Sequence, residues 1–206
     1  GARLHPFANV TLLGSWQAQL QAIQADGLCV EDENGRFHHR LAITADPNAI
    51  PPTDVALILV KSHQTERAAQ QAKSILKAGG MALTLQNGVG NLEKLTTILG
   101  MDVLGVNRAA VGVTSAGAMV TGAGNIRVAG LGHTFVASTA VAIAPLFVRA
   151  GLPTTVTDDV DGLIWGKLAI NAGINPVTAV LQVPNGYLAE NEEAKAMMLA
   201  AARETQ

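Results

Sequence analysis

Asp54-Val55-Ala56-Leu57-Ile58-Leu59-Val60 is the stretch that decides the fold. Its apolar residues run together without alternation. A run this short, bounded by polar residues, suits a strand buried on both faces, as in a parallel sheet. It delivers Lys61-Ser62-His63-Gln64, and a helix is expected over Thr65 to Lys77, with Ala68, Ala69, Ala72, Ile75 and Leu76 on one side. The pattern then repeats. Met81 to Leu85 reads as a second strand closed by Gln86-Asn87-Gly88, and Asn91 to Leu99 reads as a helix capped by Asn91. Strands alternating with helices imply a parallel sheet with crossover connections, an α/β fold.

Upstream, Asn9 to Leu13 reads as a strand and Trp16 to Ala25 as a helix, with Trp16, Leu20 and Ile23 at helical spacing. Leu28-Cys29-Val30 and Leu41 to Thr44 flank the turn dipeptide Asn34-Gly35, which predicts a hairpin-like excursion. Downstream, Val103 to Val113 is a further β-rich run. The Gly-, Thr- and Val-rich segment from Thr114 to Gly132 suggests hairpins at a sheet edge. Val141 to Ala150 reads as helix and Thr154 to Val156 as a short extended piece. From Asp158 onward helical periodicity dominates, punctuated by Pro176 and Pro184-Asn185-Gly186. This change of character sets a domain boundary near residue 156, giving units of 1–155 and 156–206.

Composition limits the function classes. The chain has 206 residues, 49% of them apolar, enough for a sizeable core. Its 14 basic and 16 acidic residues give a net charge of −2, without the basic excess expected of a nucleic-acid protein. Aromatic residues make up 3%, so stacking platforms are scarce. The single cysteine, Cys29, excludes an internal disulfide framework and any multi-cysteine metal site, and fits a cytoplasmic protein. The five histidines show no metal-ligand spacing, and no metal is expected. No apolar run approaches the roughly 18 residues of a membrane span. The first residues do not resemble a signal peptide, and they lack an initiator Met, as a processed product or a fragment would.

Chemistry is expected past the carboxyl ends of the strands, where open parallel sheets bind ligands. Lys61 and Gln64 follow one strand and Asn87 follows the next, a combination suited to an anionic ligand. The sharper signal lies further on. Between Gly162 and Ala189 the only charged residue is Lys167, in the apolar setting Ile164-Trp165-Gly166-Lys167-Leu168. Asn171 and Asn175 follow at i+4 and i+8, along one helix face that drifts about 40° per step. Two readings of Lys167 stay open. Its stem can cover apolar surface while the ammonium reaches water. Alternatively the ammonium is desolvated, paired with polar groups, and shifted in pKa. The second reading suits carbonyl reduction: an ammonium beside a ketone stabilises the charge that develops on oxygen as hydride arrives, and then donates the proton. Asp158, Asp159 and Asp161 read as a helix N-terminus, and Glu190, Glu192 and Glu193 as a solvated helix start.

At this point the motifs resemble those of the ketopantoate reductase (2-dehydropantoate 2-reductase) family. The matching residues are Val60-Lys61-Ser62-His63-Gln64-Thr65, Leu85-Gln86-Asn87-Gly88-Val89-Gly90-Asn91, and Gly117-Ala118 with Gly124, Arg127, Gly130 and Gly132. The most specific is Trp165-Gly166-Lys167-Leu168-Ala169-Ile170-Asn171, continuing through Asn175-Pro176-Val177-Thr178-Ala179 to Pro184-Asn185-Gly186. The resemblance implies an N-terminal Rossmann-like domain followed by the start of an all-α domain, with the active site between them. It implies reduction of ketopantoate to pantoate by NADPH, on the route to pantothenate and coenzyme A. Lys167 matches the catalytic general acid, Asn171, Asn175 and Asn185 match substrate-holding positions, and Lys61, Gln64, Asn87 and Ala118 match positions around the cofactor. The expected partner is a small 2-oxoacid, with neither nucleic acid nor membrane, and a homodimer is common for such folds. A related 3-hydroxyacid dehydrogenase and a catalytically inactive nucleotide-binding or regulatory protein are the alternatives.

The sequence departs from the family in lacking the opening strand with its G-x-G-x-x-G loop, and the later helices that supply a serine and a glutamate. It therefore reads as an incomplete copy of a longer enzyme. For cofactor choice, Leu13 is followed by Gly14-Ser15-Trp16, with no acidic residue for a ribose 2′-hydroxyl. That permits NADP, with Ser15 able to hydrogen-bond a 2′-phosphate, although the local sequence offers no Arg to grip it.

Overall fold

A computed structural model describes residues 1–205. In chain order its elements are β1 (Thr11–Leu13), α1 (Gln17–Asp26), β2 (Leu28–Asp32), β3 (Gly35–His39), β4 (Ala42–Thr44), β5 (Thr53–Ile58), α2 (Thr65–Ile75) and β6 (Leu76–Thr84). They continue with α3 (Asn91–Leu99), β7 (Ala109–Thr114), β8 (Gly117–Gly122), β9 (Asn125–Gly130), β10 (Thr134–Ala137), α4 (Ala144–Arg149) and β11 (Thr154–Thr157). The last three are α5 (Val160–Leu181), α6 (Tyr187–Glu190) and α7 (Glu192–Arg203).

The main sheet has the order β11-β10-β7-β6-β5. Strands β5, β6 and β7 are parallel, and β10 runs antiparallel to β7. Consecutive residues on the central strands feed opposite faces, as the pleat requires. Ala82 and Ala109 meet Ala69, Ala72, Leu95 and Leu99 of α2 and α3. Leu83 and Ala110 meet Val136, Ile143 and Phe147 on the other side. Burial on both faces explains why these strands show no alternation in sequence.

Strands β1 and β4 form a parallel pair of their own, and β3-β2-β9-β8 form a separate four-stranded sheet. Several expectations are corrected here. The Asn34-Gly35 turn joins β2 to β3, while residues 42–44 pair with β1 instead. The hairpin within residues 114–132 does lie at a sheet edge, that of this second sheet, where β9 joins β2 and β8 is outermost. Its tip packs on α1: Gly124, at φ +75, donates its N–H to Gln19 Oε1 at 2.7 Å, and a Cβ there would sit 2.9 Å from the Ala22 methyl. Residues 102–106 form a turn, not strand, because the Asp102 carboxylate captures the N–H groups of Leu104 and Val106. Helix α2 stops at Ile75, and residues 138–143 form a 3-10 segment ahead of α4.

Helix α5 has 22 residues and runs about 33 Å at 1.5 Å per residue. Asp159 caps it by accepting from the Gly162 N–H at 3.0 Å. Its first turns press Val160 and Ile164 against Val111 and Ala137 of the sheet. Its second half presses Val177 and Ile174 against Leu188, Ala194 and Met198. Gly173 permits that approach, since a Cβ would lie 2.9 Å from the Met198 carbonyl oxygen.

A directed chain of side-chain hydrogen bonds ties the strand ends together. Thr84 Oγ1 donates to Gln86 Oε1 at 2.9 Å, and Gln86 Nε2 donates to Thr65 Oγ1 at 3.0 Å and to the Val60 carbonyl at 2.6 Å. Thr65 Oγ1 donates to Asn91 Oδ1 at 3.1 Å, and Asn91 Nδ2 donates to the Asn87 carbonyl at 3.2 Å. Thr65 and Thr84 are fully buried. Asn91 is therefore not the cap of α3. Its oxygen is already taken, and Gly90, in the left-handed region, precedes the helix. Thr65→Val would strand the part-buried amide N–H of Gln86 and the buried amide oxygen of Asn91. Unfolding of the full-length variant in urea should show a loss of about 1–3 kcal/mol, largely restored in Thr65→Ser. An unchanged midpoint would show that the chain carries no stability.

Candidate active site

The residues expected to carry chemistry lie just past the ends of different strands. Ser15 follows β1, Lys61 and Gln64 follow β5, and Asn87 follows β6. Ala118 lies in β8, four residues beyond Thr114 at the end of β7. Lys61, Asn87 and Ala118 are exposed. Lys61 precedes the 3-10 turn of residues 62–64, and its carbonyl accepts the Gln64 N–H at 2.8 Å. The Asn87 carbonyl is held by Asn91, which leaves the Asn87 carboxamide facing solvent without an intramolecular hydrogen bond among the described residues.

Lys167, on α5, lies against the end of β7. It is part-buried, and its Nζ donates to the carbonyl oxygen of Thr114. The contact links α5 directly to the end of β7. Burial lowers the Lys167 pKa from the ordinary lysine value, because desolvation penalises the ammonium and no carboxylate partner offsets it among the described residues. Of the two readings left open by the sequence, the structure favours the engaged ammonium over the snorkelling stem. An ammonium has three N–H bonds, so one satisfied by Thr114 leaves two for a ligand. Asn171 and Asn175 continue along the same helix face, part-buried and exposed respectively. No side-chain hydrogen bond within the described residues engages either amide. Asn185 lies apart from this stripe, in the turn after α5, where its carbonyl accepts from Leu188. No described contact joins its side chain to Lys167.

A cleft of about 320 Å³ opens between the β1–β4 pair and α2. Ser15, Trp16, Gln19, Gln64, Arg67 and Gln71 contribute its polar and aromatic lining. Ser15 and Gln64, far apart in sequence, thus share one wall-to-wall space. Trp16, expected on the apolar side of α1, instead stands half-exposed at the cleft while Leu20 and Ile23 are buried. Arg67 corrects the expectation that no arginine is near Ser15. It sits three residues after Gln64, on the face of α2 that also carries Gln71. That spacing was the available signal, but only the folded chain shows which strand end the face meets. The other feature missed in sequence is the Thr114 carbonyl, because a backbone acceptor leaves no mark in residue type.

The cleft fits a nucleotide cofactor. Among the described residues its only charged lining group is a cation, Ser15 offers a hydroxyl, and no carboxylate lines it to repel a phosphate. Of the residues expected around a cofactor, the structure brings Ser15 and Gln64 into this cleft, while Lys61, Asn87 and Ala118 lie outside its lining.

Arg127, one of the motif residues, has a structural role. Its Nε donates to Glu31 Oε1 at 2.9 Å, while Arg36 engages the other carboxylate oxygen. Hydrogen bonds from Arg127 and then Arg36 hold the Glu31 carboxyl below its ordinary pKa. The clamp joins β2, β3 and β9 on the outside of the second sheet. Among the described residues no helix is long and apolar enough to cross a membrane, and no cluster of three His, Cys, Asp or Glu side chains is suited to a metal.

Comparison with known proteins extends this geometry. Residues 1–140 match the family model described as ketopantoate reductase PanE/ApbA, and residues 159–206 match its C-terminal counterpart. The 2-dehydropantoate 2-reductase of Halobacterium salinarum is 35% identical over 189 residues, covering 88% of this chain and 60% of that protein. The chain thus spans about 60% of the length of that relative. A PanE/ApbA family ketopantoate reductase structure from Ralstonia eutropha superposes with a TM-score of 0.86 at 30% identity, over 100% of this chain and 67% of that one. A D-mandelate dehydrogenase, solved with NADH and anilino(oxo)acetate, shares the fold at a TM-score of 0.87 and 21% identity, over 96% and 65%. The lysine-bearing helix and the end of β7 that it meets fall within these matched regions, and the chain belongs to the ketopantoate reductase PanE/ApbA family of oxidoreductases.

Proposed function

We propose that the full-length protein reduces 2-dehydropantoate to pantoate with NADPH, as a cytoplasmic enzyme of pantothenate and coenzyme A biosynthesis. The observation that carries this reading is Lys167: a part-buried ammonium, bonded to the Thr114 carbonyl, on the helix face that carries the free amides of Asn171 and Asn175. On this reading residues 1–155 form the NADP-binding domain and residues 156–206 begin the helical substrate domain. The partner is a small 2-oxoacid, with no role for nucleic acid or membrane.

NADPH, when bound, supplies the hydride. Lys167 hydrogen-bonds the ketone oxygen, stabilises the negative charge that grows there, and transfers a proton from Nζ to the new alkoxide. Its lowered pKa makes that transfer easier than from a solvated lysine. The Thr114 carbonyl holds Nζ in place, so less ordering remains for the transition state to bring about. Asn171 and Asn175 orient the substrate's hydroxyl and carboxylate groups, with Asn185 contributing from the turn beyond α5. Lys61, Gln64, Asn87, Ala118 and Ser15 would hold the cofactor, with Asn87 toward its nicotinamide end.

A panel of 2-oxoacids with the full-length protein and NADPH tests the substrate; turnover of other 2-oxoacids but not of 2-dehydropantoate would overturn it. Lys167→Ala should lower kcat by about 10²–10⁴-fold, the usual contribution of a positioned acid. Unchanged turnover would leave Lys167 a snorkelling residue.

The pH dependence has a definite sign. The acid must be protonated, so kcat/KM for reduction should fall as pH rises through the Lys167 pKa, and the reverse oxidation should rise. Because burial lowers that pKa, the limb should lie below the ordinary lysine range. Lys167→Ala should abolish it. A pH–rate profile that keeps the same limb in the variant would assign the titration to another group.

A further inference from the structure

Resting on the reading of a nicotinamide enzyme, we infer that Arg67 is the residue that selects the phosphorylated cofactor, gripping its 2′-phosphate across the cleft from Ser15. The usual place for such a cation is beside the end of the second strand of a dinucleotide-binding unit. Here that place holds Gly14-Ser15-Trp16, all uncharged. The charge comes instead from α2, on the other wall.

Three features of Arg67 support this assignment. Among the described residues it is the only charged one lining the cleft, beside the neutral polar groups of Ser15, Gln19, Gln64 and Gln71. It has no ion-pair partner among the described residues, and the adjacent Glu66 is drawn away toward Lys94 at 3.8 Å. It also sits in the first turn of an 11-residue helix, where the macrodipole opposes a cation and favours an anion. A guanidinium placed there gains neither a carboxylate nor the helix field. A phosphate in the cleft would supply the counter-charge, receive paired N–H bonds from Arg67, and accept the Ser15 hydroxyl. Trp16, half-exposed at the same cleft, offers an apolar face for the attached base.

The arrangement selects against a bare ribose. A 2′-hydroxyl would leave the guanidinium without a counter-ion, and no carboxylate lines the cleft to accept its proton. Discrimination therefore comes from one charge on α2 rather than from the strand end.

Calorimetric titration of the full-length protein with adenosine 2′,5′-bisphosphate and with 5′-AMP isolates this one phosphate. The wild type should prefer the bisphosphate. Arg67→Gln should weaken the bisphosphate by roughly 10- to 100-fold, as loss of a charged hydrogen-bond donor commonly does, and leave 5′-AMP within about twofold. Arg67→Lys, which keeps the charge and loses the fork, should fall between. The ratio of kcat/KM with NADPH to that with NADH should drop in parallel. If Arg67→Gln retains the wild-type preference, or weakens both nucleotides equally, the assignment to Arg67 is overturned while the enzyme reading stands. If the wild type binds both without preference, NADP selectivity itself fails, and if it binds neither, the nicotinamide reading fails with it.

Discussion

The carboxamide of Gln86 is the joint on which the strand-end geometry depends. Its oxygen accepts from Thr84, and its nitrogen donates both to Thr65 and to the Val60 carbonyl. The opposite orientation would set one carbonyl against another at Val60, so the amide has one satisfactory placement. That placement fixes the end of β6 relative to the end of β5 and the start of α2. Through Thr65 and Asn91 it also fixes the loop that presents Asn87. A buried chain of this kind is costly when incomplete, because each member left without a partner pays its full desolvation. Its completeness therefore favours one arrangement of the loops over many.

The same logic explains which parts of the fold the sequence disclosed. Strands β5 to β7 were legible because burial on both faces removes polar residues from them. Helices α2 and α3 were legible because their apolar faces repeat at helical spacing. The second sheet was not, since β2 pairs with β9, nearly a hundred residues away, and β3 is a mostly exposed run including Arg36 and His38. Local turn chemistry identified Asn34-Gly35 correctly but could not tell that residues 42–44 belong to β1. Residues 102–106 misled for a related reason: their apolar composition suggests a strand, yet one carboxylate takes the N–H groups a ladder would need.

The candidate site divides in the same way. Lys167, Asn171 and Asn175 could be read together because a single helix places them on one face. Ser15 and Gln64 could be named singly, but their sharing of a cleft depends on how β1 and α2 approach each other. Arg67 was invisible for that reason, although its spacing from Gln64 is helical. The Thr114 carbonyl lay beyond residue-type reasoning altogether, since every residue carries that group and only folding selects one.

Helix α5 shows why the lysine is both part-buried and well placed. Its first turns are pinned to the sheet through Val160 and Ile164, and its later turns to α7 through Gly173 and Val177. Lys167 lies between these two anchorages, in the turn that passes the end of β7. Sliding the helix by one residue would rotate the lysine about 100° away from the Thr114 carbonyl and toward water. It would also break the close approach at Gly173. Packing at the two ends of α5 thus enforces the position of its polar middle. The apolar residues around Lys167 set its electrostatics, and the two hydrophobic contacts fix its aim.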